Sequence, residues 1–250
     1  MPVYIIPKKK QADGQFNGGA ILEKKPIGFP QDGGEQRPYS NLFYWAHAFT
    51  DGGSLIGEHP HQGFEILTFV LKGDIEHYDS KQKGWTKLKE GDMQIIRAGN
   101  GITHAEKMNA GSQMFQIWFD PGLENTLGKP ATYNDYRKEE MPVVMSNGYM
   151  SRVYVGTESP FIIDSPGLTI ADTEFNYKVH SWKLRKDEIF SAFIIEGQVD
   201  IEGHTLASGD FFRVEEKDKI TFKTEEKTRL FYIKSPSKLP YQTYSELQGI

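Results

Sequence analysis

His59-Pro60-His61 and His104-Ala105-Glu106 each set two metal-binding side chains two residues apart. On a β-strand, residues i and i+2 share one face, so each pair would stand side by side. Three imidazoles and a carboxylate brought together suit a divalent first-row ion. Nitrogen and hard oxygen donors without thiolate are the chemistry of the two-His, one-carboxylate set at non-haem iron sites. Four protein ligands on an ion that prefers six would leave about two positions for water, dioxygen or a substrate.

The elements that must position these residues read as strands. Ile66 to Leu71, Met93 to Ile96, Gln113 to Phe119, Ala192 to Ile195 and Arg229 to Ile233 are short, rich in β-branched or aromatic residues, and bounded by turn formers. That rhythm predicts an all-β protein of antiparallel sandwiches or barrels. Pro121 to Pro142, punctuated by Gly122, Gly128 and Pro130, reads as a connector. The tail from Ser235 to Ile250 carries Tyr241, Tyr244, Leu247 and Ile250, which could pack back as a short helix.

Composition narrows the function classes. At 250 residues, 38% hydrophobic and 25% charged, the chain can bury a sizeable core. A net charge of −5 gives no basic footprint for nucleic acid, so no direct nucleic-acid contact is expected. The run Pro7-Lys8-Lys9-Lys10 reads as a solvated terminus rather than an address. No stretch approaches the ~20 apolar residues that span a bilayer, so the expectation is a cytoplasmic protein with no membrane partner. With no cysteine, disulfides and thiolate metal sites are excluded. Any redox chemistry must then sit on a metal or cofactor.

The two halves resemble one another. Thr68-Phe69-Val70-Leu71-Lys72-Gly73-Asp74-Ile75 matches Ala192-Phe193-Ile194-Ile195-Glu196-Gly197-Gln198-Val199, an offset of 197 − 73 = 124. Gly91-Asp92-Met93 matches Gly209-Asp210-Phe211, an offset of 209 − 91 = 118. Both halves are thus expected to share one β plan. Carrying these offsets onto the candidate ligands lands on Lys183, Arg185, Phe222 and Thr224. Two cations and no ligand set cannot hold a divalent ion, so one site per chain is expected.

His59-Pro60-His61-Gln62-Gly63-Phe64-Glu65, then Gly73 to Ser80, then Ala98-Gly99-Asn100-Gly101-Ile102-Thr103-His104-Ala105-Glu106, together resemble the pirin family. The resemblance implies two tandem cupin domains of β-barrel, jelly-roll type, a bicupin, with metal only in the first. Residues 1–130 would form the metal-binding cupin domain and 131–250 the cupin domain lacking ligands. It implies His59, His61, His104 and Glu106 as ligands of one divalent ion, Fe(II) first, with Mn, Ni, Co, Cu or Zn open. The activity implied is quercetin 2,3-dioxygenase, an oxidoreductase reaction of O2 with a small aromatic or flavonoid-like substrate. Glu106 is the candidate base toward a flavonol 3-hydroxyl. The alternative is an iron-binding, redox-sensitive regulatory protein acting through a protein partner.

Glu65 competes with Glu106, because it ends the first cupin motif. One carboxylate leaves a divalent site net positive and attractive to an anionic substrate, and two would cancel that charge. Glu65 is therefore read as a partner that steadies a ligand imidazole. His47, His77, His180 and His204 are read as ordinary surface or hydrogen-bonded histidines. Gly63 and Gly101 are read as turn residues, and Phe43-Tyr44-Trp45 as packing and secondarily as a substrate wall.

Overall fold

The computed structural model describes residues 3–157, 159–176 and 178–250. In chain order the strands are β1 (Val3–Ile6), β2 (Ala12–Phe16), β3 (Ile21–Ile27), β4 (Leu42–Phe49), β5 (Ser54–His61), β6 (Glu65–Lys72), β7 (Asp74–Asp79), β8 (Trp85–Lys89), β9 (Met93–Arg97), β10 (Ile102–Met108), β11 (Gln113–Phe119) and β12 (Thr132–Tyr136). They continue as β13 (Val143–Ser146), β14 (Tyr149–Val155), β15 (Thr169–Phe175), β16 (Lys178–Lys183), β17 (Glu188–Glu196), β18 (Gln198–Ile201), β19 (His204–Ala207), β20 (Phe211–Val214), β21 (Lys219–Thr224) and β22 (Thr228–Pro236). Two short helices, α1 (Leu123–Thr126) and α2 (Tyr244–Gln248), complete the regular elements used below.

The chain divides into two units. One comprises residues 11–140 and 240–250, the other residues 1–10 and 141–239. The first holds a seven-stranded sheet, β12-β9-β6-β11-β4-β3-β2, and a four-stranded sheet, β5-β10-β7-β8. The second repeats the scheme with β1-β20-β17-β22-β15-β14-β13 and β16-β21-β18-β19. This is the all-β, double-cupin architecture expected. Each unit is nevertheless a pair of separate sheets rather than one closed barrel.

Period-two patterning explains why the sheets face one another. In β7, Ile75, His77 and Asp79 are buried while Asp74, Glu76 and Tyr78 are partly exposed. Ile21, Ala48, Val70 and Met114 of the seven-stranded sheet pack against Ile56, Ile75, Leu88 and Met108 of the other. Each fully buried side chain of this kind is worth about 1.5–3 kcal/mol relative to exposure.

The internal repeat is present at the level of turns. Gly73 and Gly197 both take a positive φ, 72° and 80°, where the chain passes from one sheet to the other between β6 and β7 and between β17 and β18. Asp92 and Asp210 both fold back on their turns, accepting from the backbone N–H of Lys89 (2.9 Å) and Ala207 (3.0 Å). Their other oxygens accept from the N–H of Lys138 (3.0 Å) and Lys8 (2.9 Å). The Pro7–Lys10 run is thus an ordered part of the second unit, its lysines forming a single 3-10 turn.

Two expectations about the chain's division differ from what is found. The stretch Pro121 to Pro142 is not a bare connector, since β12 pairs with β9 at the edge of the seven-stranded sheet. A division after residue 130 cuts this segment from its unit. It also leaves residues 1–10 with the first unit, whereas β1 pairs with β20 of the second. Residues 240–250 belong with residues 11–140. The tail does form the expected short helix, α2, capped by Thr243, whose hydroxyl accepts from the N–H of Glu246.

Candidate metal centre

The candidate ligands lie on β5 and β10, antiparallel neighbours in which His59 stands opposite His104 and His61 opposite Ile102. On β10, His104 and Glu106 share the buried face with Ile102 and Met108. On β5, Ile56 and His59 are an odd number of residues apart, so a regular strand would turn them to opposite faces. A bulge resolves this. Glu106 pairs with Ile56 and His104 with His59, so Gly57 and Glu58 together face Ala105. The bulge also places the Gly57 carbonyl 2.8 Å from His59 Nδ1. That contact puts the ring proton on Nδ1 and leaves the Nε2 lone pair directed inward.

The three imidazoles converge. His104 Nε2 lies 2.8 Å from His61 Nε2 and 2.9 Å from His59 Nε2. Donor atoms of all three fall within 4.8 Å of one another. Burial and the neighbouring imidazoles hold His61 down at about 3 and lower His104 well below the ordinary imidazole range, so both rings are neutral at pH 7. One proton on His104 Nε2 cannot serve two neighbours at once, and unshared lone pairs at this distance repel. A cation between them satisfies all three, and nitrogens about 2.0–2.1 Å from a common ion at right angles stand roughly 3 Å apart.

Glu106 is fully buried on the same strand face. Its carboxylate accepts from Gln116 Nε2 (2.7 Å) and Thr68 Oγ1 (3.3 Å), and Gln116 is held in turn by the Trp118 indole N–H (3.0 Å). Burial still dominates and pushes the carboxyl up to about 7. Glu106 groups most closely with His77 and His104, whose donor atoms and its own lie within 4.8 Å of one another. The four residues expected together are therefore split between two triads that share His104, one with His59 and His61, the other with His77 and Glu106.

His77 is the residue that sequence reasoning set aside. It lies directly opposite Glu106 on β7, 1% exposed, with its ring stacked on Tyr133 at 4.6 Å. The alternation Ile75-His77-Asp79 carried the signal that it points inward. Glu65 stands in neither triad. It sits opposite Arg97 on β9, 3.6 Å from the guanidinium. His47 lies 3.2 Å from Gln113 Oε1, and His204 is exposed.

His59, His61 and Glu106 open onto a cavity of about 390 Å³. Its walls include Phe16, Phe29, Tyr44 and Trp118, with Glu23, Lys25 and Gln116 as further polar groups. Trp118 meets His61 edge-on at 4.8 Å. Of the aromatic run, Tyr44 lines the cavity and Trp45 packs against Phe115.

The second unit has no such set among the described residues. Its register corrects the carried-over positions: His180 pairs with Phe222 and Trp182 with Ile220, as His59 pairs with His104 and His61 with Ile102. His180 and Trp182, rather than Lys183 and Arg185, therefore occupy the places of the two β5 histidines. Phe222 and Thr224 stand where the offset put them. His180, Trp182 and Phe222 pack with Phe175, filling with rings the space that the first unit gives to ligands.

Comparison with known proteins agrees with this architecture. The Pirin family model matches residues 37–119, the span that carries every candidate ligand. Pirin-1 of Arabidopsis thaliana is 33% identical over 162 residues, which are 60% of this chain and 54% of that protein. The match thus spans about half of that curated relative. A quercetin 2,3-dioxygenase structure from Acinetobacter baumannii superposes with a TM-score of 0.81 at 20% identity, covering 99% of this chain and 86% of that one. The bacterial pirin YhhW from Escherichia coli, in complex with nickel(II), superposes at 0.77 with 19% identity over 95% of this chain and 100% of that one. At these identities the two structures speak for the shared fold. Motifs, family match and fold together give this chain a Pirin domain at residues 37–119 within an all-β, double-cupin fold like that of the bacterial pirin and quercetin dioxygenase structures.

Proposed function

We propose that this protein is a metal-dependent oxygenase of the quercetin 2,3-dioxygenase type. In this reading His59, His61, His104 and Glu106 hold one divalent ion, Fe(II) first, beside the aromatic cavity. The observation that carries it is the approach of His104 Nε2 to within 2.8–2.9 Å of the His61 and His59 Nε2 atoms at the wall of a cavity of about 390 Å³. When bound, the ion would supply the Lewis acidity and the redox centre that dioxygen chemistry needs.

The chain's own residues have distinct tasks. His59 is fixed by its Nδ1–H donation to Gly57, and His61 is braced by the Trp118 edge. Trp118, Phe29 and Tyr44 give flat apolar walls that suit an aromatic ring and exclude water. Glu106, the buried carboxylate at the cavity wall, would accept a phenolic proton. Gln116 and Thr68 donate to the carboxylate and hold it in place before it takes the proton.

Anaerobic loading with iron, then oxygen-consumption measurements with quercetin, tests the proposal. Uptake above a metal-free control supports it. Stoichiometric iron without quercetin-dependent uptake overturns it.

A further inference from the structure

Two charged side chains point inward where the strand pattern calls for apolar ones. On β3, Ile21, Glu23 and Lys25 share the buried face, and Ile21 belongs to the core between the sheets. Glu23 is 7% and Lys25 8% exposed, and both line the cavity that His59, His61 and Glu106 open onto. Burying two charges is costly, and an ion pair repays that cost only with good geometry. Here the geometry is unequal.

Lys25 is committed. Its ammonium lies 3.1 Å from Asp32 Oδ2 and over the Tyr44 ring at 5.7 Å, and Asp32 is itself fixed by the N–H of Phe29 (2.9 Å). Glu23 is not. Its two oxygens make only long contacts, 3.5 Å to the Tyr44 hydroxyl and 3.5 Å to Lys25 Nζ. Directly across β2–β3 stands Gly14, where a Cβ would collide with the Glu23 carboxylate. The glycine leaves room for a carboxylate that the protein itself binds loosely.

We propose that Glu23 is the specificity element of this cavity, accepting a hydrogen bond from a phenolic hydroxyl on the ligand ring remote from the imidazoles. The proposal rests on the reading of the cavity as an aromatic substrate site. Lys25, anchored on Asp32, keeps a positive charge beside the carboxylate and opposes its withdrawal from the cavity. A ligand without the remote hydroxyl leaves Glu23 buried and poorly satisfied, which is how polar sites reject analogues that lack a donor.

Equilibrium dialysis of the metal-free protein tests this without turnover. The probes are quercetin and its analogue without the two hydroxyls on the pendant ring. The wild type is expected to prefer quercetin by about 10- to 100-fold, the worth of a hydrogen bond to a charged group. Glu23→Leu should erase the preference by weakening quercetin alone, and Glu23→Gln, which still accepts through its amide oxygen, should keep part of it. Circular dichroism checks that both variants fold. An unchanged preference in Glu23→Leu, or no binding of quercetin to the wild type, overturns the proposal. Retained preference with no oxygen uptake in the iron-loaded protein would instead remove the oxygenase reading and leave the recognition element standing.

Discussion

Glu106 and His77 face each other across the neighbouring strands β10 and β7, both sealed from solvent. Neither ring nitrogen of His77 has a hydrogen-bond partner among the described residues, although Asp79 Oδ2 lies 3.5 Å from Nε2. Glu106 thus groups with His77 and His104, while His59 and His61 group with His104. The cavity supports the reading in which Glu106 joins His59 and His61, because these three line it and His77 does not.

A His77→Phe variant separates these readings. It should retain one metal equivalent per chain by elemental analysis, since three imidazoles and Glu106 remain. Loss of the metal would shift the ligand set onto His77, His104 and Glu106.

Glu106 also predicts a proton count. Its carboxyl, raised to about 7 in the metal-free protein, is protonated below that pH, whereas His61 at about 3 is already neutral. A divalent ion favours the carboxylate, so Glu106 should contribute about one expelled proton at pH 6, about half at pH 7 and almost none at pH 9. Calorimetry in buffers of different ionisation enthalpy measures this. Glu106→Gln should lower the release at pH 6 by about one proton.

Gln116 holds one Glu106 oxygen at 2.7 Å while receiving the Trp118 N–H. Gln116→Leu removes a donor to the charged carboxylate, so metal affinity at pH 6 should fall about 10- to 100-fold, as when outer partners of metal ligands are lost. Competition with a chelator reads the change. Unaltered affinity would mean that Gln116 merely packs.

Gly99 prepares the turn into β10. Its φ is +48°, and a Cβ there would strike the Lys129 carbonyl and come within 3.0 Å of the Pro130 carbonyl carbon, backbone atoms with little freedom to yield. Gly99→Ala should destabilise the fold by about 1–3 kcal/mol in urea unfolding. Gly128→Ala, with nothing within 4 Å and no positive φ, should change it by less than about 0.5 kcal/mol.

The ligand pairs were legible because period-two geometry is local: His-x-His and His-x-Glu put both members on one face wherever a strand forms. The same rule applied to Ile75-His77-Asp79 but was not drawn, since a single histidine carries no partner in its own segment. The offset onto Lys183 and Arg185 failed for a different reason. The stretch from His180 to Gly197 is longer than that from His59 to Gly73 (197 − 180 = 17 against 73 − 59 = 14), so an offset anchored on the glycines overshoots, and only cross-strand pairing with Phe222 fixes the register on His180. Glu23 and Lys25 were illegible, because Glu23-Lys24-Lys25 reads as a solvated charge run. In the fold Lys24 faces out to Asp13, while its two neighbours turn inward. The exchange of termini was likewise beyond local pattern.

That exchange bears on how the chain is made. Tyr244 of α2 packs against Phe43 and Phe64, and its backbone N–H and the Tyr241 hydroxyl both bond Asp120. Residues 240–250 leave the ribosome about a hundred residues after residue 140, once the other unit's strands have been translated. The histidine-bearing half therefore waits, its aromatic flank bare, until the tail arrives to cover it. Nascent chains stalled before residue 240 should be the ones that chaperones hold longest.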